Sequence, residues 1–173
     1  RTRPHREPVN LVQWTLAFTA TVAGLCTVGA VYNCAPGVTK YDPPVLVTSL
    51  GASAVLDYNT VQSPLAQPRN TIVGHTLSAL LAVCVAKLFQ LRPDSANLWV
   101  VAALACACAN LGMSITGSVH PPGGATAIVA CIDPNVIRMG WMFPVLMLLA
   151  SVLICAVACL FNNTLRQYPT HWW

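Results

Sequence analysis

Charge is what this sequence has least of. Only 8% of its 173 residues are Asp, Glu, Lys or Arg, and just five of those are acidic. Soluble domains carry roughly 25% charged residues, so this composition cannot clothe a surface that faces water on all sides. With 55% hydrophobic residues and a mean hydropathy of +0.61, the chain reads as an integral, multi-pass membrane protein whose solvent is the lipid bilayer. Nothing in the composition says which membrane. The net charge of +4 is scattered and forms no basic stripe, which excludes nucleic acid as a partner. Carboxylates do not cluster, and no nucleophile–base pair or metal-ligand spacing stands out, so the expectation is no enzyme, no metal and no cofactor.

The eight cysteines lack a disulfide or zinc pattern. Cys26, Cys84, Cys106, Cys108, Cys131, Cys155 and Cys159 fall in apolar runs, where cysteine packs as a small hydrophobe. Cys34 alone sits in an expected loop. The chain opens on Arg1 and not on methionine, as expected of a domain taken from a longer protein.

What the chain does have is helix of membrane length. Residues 1–9 are a basic, proline-containing lead. The first spanning helix is expected over 10–32, with Trp14 as an interface anchor and Gly24, Thr27 and Gly29 on a small-residue packing face. A loop over 33–44 carries Pro36-Gly37 and Pro43-Pro44. An extended, β-branched segment at 45–50 leads into small residues at 51–56, and a proline-bracketed loop follows at 63–70. Spanning helices are expected over 71–91, 97–113 and within 136–162, separated by a turn at 92–96 and followed by an interfacial tail at 164–173. Lys87 is placed to snorkel.

The organising stretch is Ser118-Val119-His120-Pro121-Pro122-Gly123-Gly124-Ala125-Thr126-Ala127. Two prolines and two glycines cannot continue a helix, while the small run from Ala125 can begin one. Such a break at bilayer depth is tolerated only where protein or a watery cavity surrounds it. Gly51-Ala52-Ser53-Ala54-Val55 repeats Gly124-Ala125-Thr126-Ala127-Ile128, and each motif lies between two apolar helices. The chain therefore reads as two repeats of helix, broken half-helix and helix, residues 10–91 and 97–163. Four full helices and two half-helices make an all-α membrane fold. If each broken segment crosses, the second repeat is inverted relative to the first, as in secondary transporters. The rival arrangement has four full helices and two re-entrant loops. Reach permits crossing, while the placement of Lys and Arg favours re-entry; inversion is the preferred reading.

A helix that starts inside the membrane presents unpaired N–H groups and partial positive charge. Gly51, Ala52, Gly123, Gly124 and Ala125 would let a small anion approach the backbone. Ser49, Ser53 and Thr126 can add hydroxyls, and His75 and His120 can add donors that titrate near physiological pH. Arg69 and Arg138 can draw anions to the entrances. Each has a plainer reading: turns for the Pro and Gly pairs, packing for His75 and topology-setting charge for the two arginines. Asp57 reads as an interface carboxylate in preference to a proton carrier. Met139, Met142 and Met147 read as filler, and Asn110 as a buried amide near a helix end.

These motifs resemble the HPP family of integral membrane proteins. The resemblance rests on Ser118 to Ala127 with His120-Pro121-Pro122, on Ser49-Leu50-Gly51-Ala52-Ser53-Ala54-Val55-Leu56, and on Ser63-Pro64-Leu65-Ala66-Gln67-Pro68-Arg69-Asn70 followed by His75. It implies a small domain usually described as four spanning segments, with members implicated in nitrite transport in chloroplasts and cyanobacteria. Position 53 is serine where that pattern often has threonine, which keeps the hydroxyl. The resulting expectation is a transporter of nitrite or nitrate, bound at half-helix starts near the midplane. The alternatives are an anion channel and a structural or sensory anchoring module. A homo-oligomer is expected from the small size.

Overall fold

The computed structural model describes residues 11–172; the basic lead at 1–9, Asn10 and Trp173 lie outside the described residues. Within them the chain is helical and has no strand. The helices are α1 (Leu11–Cys34), α2 (Pro36–Thr39), α3 (Thr48–Asn59), α4 (Pro68–Leu88), α5 (Leu98–Thr116), α6 (Pro121–Ile132), α7 (Pro134–Met139) and α8 (Met142–Asn162). Four of the described helices, α1, α4, α5 and α8, are long and apolar enough to cross a membrane. The helix expected within 136–162 breaks at Gly140 (φ 56°) into α7 and α8. Asp133 caps α7 by accepting from the N–H groups of Asn135 and Val136.

Two short helices of 12 residues, α3 and α6, lie between the long ones. Both start three residues before the repeated glycine, Gly51 or Gly124. The Gly-Ala-Ser/Thr-Ala motifs therefore occupy the same turn of each. Both starts lie earlier than the sequence suggests. Thr48, Ser49 and Leu50 are already helical, not extended. At the other break the helix begins at Pro121, not Ala125, because proline at the first two positions gives up only N–H groups that have no helical partner there. Pro43-Pro44, read as the counterpart of Pro121-Pro122, lies outside α3 altogether.

Packing treats the two halves alike. α1 packs on α3 and α8, and correspondingly α5 packs on α6 and α4. α3 also meets α8 as α6 meets α4, and the pairs α3–α6 and α4–α8 join the halves. Exchanging α1 with α5, α3 with α6, and α4 with α8 leaves these contacts unchanged. The inner helices α4 and α8 are the most buried of the four long ones. At the α1–α3 crossing, a Cβ on Gly24 would collide with the Tyr58 hydroxyl, so glycine permits the close approach.

Contacts near the helix ends give the direction of each element. Asn33 at the end of α1 donates to the Val45 carbonyl (2.9 Å), just before α3. Val55 and Asn59 near the end of α3 share a groove with Trp14, Ala17 and Phe18 near the start of α1. Arg69 and Asn70 at the start of α4 donate to the Thr116 and Val119 carbonyls (2.6 and 2.9 Å) at the end of α5. Val129 and Ile132 near the end of α6 share a groove with Val47 and Thr48. Tyr32, late in α1, donates to Leu146 near the start of α8 (3.0 Å), and Asn162 at its end donates to the Asp57 carbonyl (3.0 Å). One end of the bundle thus gathers the start of α1, the end of α3, the start of α4 and the end of α8. In the tail, Tyr168 is buried and donates to the Ala66 carbonyl (2.8 Å). Burial pushes its phenol well above the usual range, so it stays a donor.

Two polar residues sit elsewhere than the sequence suggests. Asn110 is exposed on the outer face of α5, because the buried stripe of that helix runs through Val101, Ala105, Ala109 and Met113. Asp57, read as an interface group, is fully buried, and its two carboxylate oxygens share the single hydrogen of the Thr71 hydroxyl (3.2 and 3.1 Å). The period of α3 explains this: Ser49, Ser53 and Asp57 are four residues apart and share its inner face.

Candidate functional site

His75 lies in the second turn of α4, fully buried, where α6 packs on α4 and side chains of α3 reach it by hydrogen bonds. Its ring is held between the two repeat-equivalent hydroxyls. Ser53 Oγ is 2.6 Å from Nε2, and Thr126 Oγ1 is 2.7 Å from Nδ1. Ser53 also bonds His120 Nε2 (3.0 Å), and Thr126 bonds Ser49 Oγ (2.8 Å). His120 Nδ1 donates to the Leu65 carbonyl (2.9 Å). The two imidazoles meet edge to face with centroids 4.9 Å apart. Ser53 reaches back to His120 at the N-cap of α6, while Ser49 reaches Thr126 further along it. That order is the one oppositely running helices produce.

Five of the residues singled out in the sequence are thereby gathered: Ser49, Ser53, His75, His120 and Thr126. All are at most 1% exposed. The others lie outside the cluster. Ala52 points outward and Gly51 faces open space, since α3 turns its Ser49–Ser53 face inward. Gly123 is buried against α4: a Cβ there would lie 2.8 Å from Ser78 Oγ and 3.0 Å from the Gly74 carbonyl. Gly124 and Ala125 are half-buried, Gly124 toward Cys106 of α5. Arg69 is half-buried at the end of the bundle where α4 begins. Arg138 is exposed on α7 and bonds Asn135 (3.4 Å).

The two helix starts also differ in their donors. Pro121 and Pro122 carry no N–H, and the Gly123 N–H donates to the His120 carbonyl (2.8 Å). The start of α6 therefore offers no bare amide at its first three positions, contrary to the reading of two equivalent amide-rich termini. At α3, Thr48 and Ser49 keep their N–H groups.

Several contributors escaped the sequence reading. A Cβ on Gly74 would lie 2.6 Å from His120 Cβ, so this glycine lets the His-Pro-Pro segment reach α4. A glycine inside a helix costs about 1 kcal/mol against alanine, which was the available signal. Ser78, one turn beyond His75, is buried with no hydrogen-bond partner for its Oγ among the described residues. The Leu65 carbonyl could not have been found, because a loop carbonyl leaves no side-chain signature.

Comparison with known proteins identifies a family of transmembrane proteins. The family described as "HPP, transmembrane region" matches residues 6–169. A transmembrane protein of Dictyostelium discoideum is 39% identical over 132 residues, 75% of this chain and 46% of its own length. A second from the same organism is 36% identical over 131 residues, 74% of this chain and 42% of its own. The chain thus spans less than half the length of these curated relatives. No solved structure matches. With the family's region covering both repeated motifs and the His-Pro-Pro break, the chain belongs to the HPP transmembrane-region family.

Proposed function

We propose that this domain transports a small inorganic anion, nitrite or nitrate, past the buried histidine at the junction of the two short helices. The observation that carries the reading is His75 held by one hydroxyl from each repeat, Ser53 and Thr126, fully buried inside the bundle. Buried polar groups in a membrane domain are costly and mark pathways more often than scaffolds. The amides of Thr48 and Ser49, the Ser49 hydroxyl and the unpartnered Ser78 hydroxyl supply neutral donors for a planar oxyanion. Arg69 lies at one end of the bundle to attract it.

The same contacts support two inverted repeats. α1, α3 and α4 run alternately between the two ends, and α5, α6 and α8 retrace that path from the opposite end. The 12 helical residues of α3 span roughly 18 Å of the ~30 Å of a bilayer core, and Val47 before them is extended while the chain bends at Val45 and Leu46. In this reading α3 and α6 are crossings and not re-entrant loops, and access alternates as one repeat rocks on the other.

A second reading is an anchoring or sensory module. It is favoured by the hydrogen-bonding within the cluster and by the longer chains of the relatives. Melting the purified chain in detergent with sodium nitrite, nitrate or chloride separates the two. A bound ligand raises the midpoint in proportion to its occupancy. Transport predicts that nitrite or nitrate, and not equal chloride, stabilises the wild type and fails to stabilise His120→Ala. No anion-specific shift would leave the anchoring module.

A further inference from the structure

The bonds around His75 form one chain: Ser49, Thr126, His75, Ser53, His120, closed by the Leu65 carbonyl. Competing backbone contacts of Ser53 and Thr126 are longer, at 3.3 and 3.2 Å. A carbonyl only accepts, so His120 Nδ1 always carries a hydrogen. With His120 neutral, its Nε2 accepts from Ser53. His75 Nε2 must then donate to Ser53 and Thr126 to His75 Nδ1, so Ser49 must donate to Thr126, the reverse of the Thr126-to-Ser49 direction that the side-chain geometry shows. With His120 doubly protonated, all four bonds run the other way, and Thr126 donates to Ser49. Placing the second proton on His75 also satisfies every member, with Thr126 donating to Ser49; the Leu65 carbonyl at His120 Nδ1 favours the charge on His120.

We propose that this chain is a proton relay, entered at Ser49 and charged at His120, which loads one proton together with the anion; this rests on the transport reading above. A proton reaching Ser49 Oγ sends that hydroxyl's own hydrogen to Thr126. Thr126 passes its hydrogen to His75 Nδ1, His75 passes its Nε2 hydrogen to Ser53, and Ser53 passes its hydrogen to His120 Nε2. One proton enters, each intermediate group ends neutral, and a single positive charge rests on His120. That charge sits at the N-cap of α6, where the helix dipole opposes a cation and burial forbids an unpaired one. An anion beside it removes both penalties, so proton and anion load as a neutral pair.

In this proposal the proton enters from the groove lined by Pro44, Val47, Thr48, Val129, Ile132 and Asp133, at the end of the bundle where α3 begins and one residue short of the buried Ser49. Other titratable groups around the relay are few. α3 adds Asp57, bonded by Thr71 of α4, and α8 adds Cys155 beside Asp57. α5 adds Cys106 near Gly124. Arg69 is turned to the Thr116 carbonyl.

The test is a nitrogen-15 NMR titration of the histidine-labelled full chain, run beside nitrate flux in liposomes under an imposed pH gradient. The relay predicts hydrogens on His120 Nδ1 and His75 Nε2 at high pH. As His120 takes its second proton, the His75 hydrogen shifts to Nδ1 at the same midpoint. Ser53→Ala uncouples the two rings, and Ser53→Thr restores the coupling. A His75 tautomer unchanged through the His120 titration overturns the relay, whatever Ser53→Ala does to folding. Nitrate flux without proton movement overturns the coupling role and spares transport. Coupled tautomers with no flux above protein-free liposomes preserve the relay and refute transport.

Discussion

α3 and α6 match in length, in place within each half and in the turn that holds their Gly-Ala-Ser/Thr-Ala motifs, yet they begin with opposite chemistry. α6 starts on His120 and two prolines, so it contributes an imidazole and no bare amides. α3 starts on Thr48 and Ser49, so it contributes amides and a hydroxyl and no titratable group at its cap. The two short helices share a geometry and differ in the groups they present. One half furnishes neutral donors, the other holds a group able to carry a proton, and His75 of α4 joins them.

The same contrast sets the predictions. The largest effect is expected at Gly74→Ala. The added methyl would sit 2.6 Å from His120 Cβ and 3.2 Å from the Ser118 carbonyl. Overpacking of this kind costs about 1–3 kcal/mol, and displacing His120 adds the loss of its bonds to Ser53 and Leu65, about 1–3 kcal/mol each, read as a lower melting temperature. Loss of any anion-dependent stabilisation should accompany it, because the α6 side is displaced without removing a polar atom. Ser53→Ala comes next. It strands one nitrogen of each histidine, and each stranded group costs about 1–3 kcal/mol before relaxation. Thermal melts should place it close to Thr126→Ala, which strands one histidine nitrogen and the buried Ser49 hydroxyl. On the α3 side, Gly51→Ala meets nothing within 4 Å and should stabilise by up to about 1 kcal/mol through helix propensity. Destabilisation there would show that the outer face of α3 is covered. Smallest is Asp57→Asn, which keeps an acceptor for Thr71 and should shift the melting temperature by no more than a degree or two.

How much of this could be read from residues alone follows the same division. The break at His120-Pro121-Pro122, the paired Gly-Ala motifs and the long helices were legible, because proline, glycine and apolar length act locally. The helix starts were misplaced, since proline is a breaker inside a helix and a good first residue at its start. The depth of Asp57 and the exposure of Asn110 depend on which face each helix turns inward. In segments apolar all round, periodicity hardly marks that face. The pairing of Ser53, His75 and Thr126 joins residues up to 73 positions apart, set only by how α3 and α6 cross beside α4. The similar environments of α3 and α6 were foreshadowed by their repeat, and their unequal donors were not.

The central claim is that an anion crosses at the histidine between the two short helices. Its most direct measurement is nitrate and nitrite flux through liposomes holding the full chain, with wild type, His75→Ala and Asn110→Leu compared at graded anion concentrations. The account predicts saturable flux in the wild type and in Asn110→Leu, whose change lies on the outer face of α5, and none above protein-free liposomes in folded His75→Ala. Equal flux in all three, or no protein-dependent flux in the wild type, would contradict it.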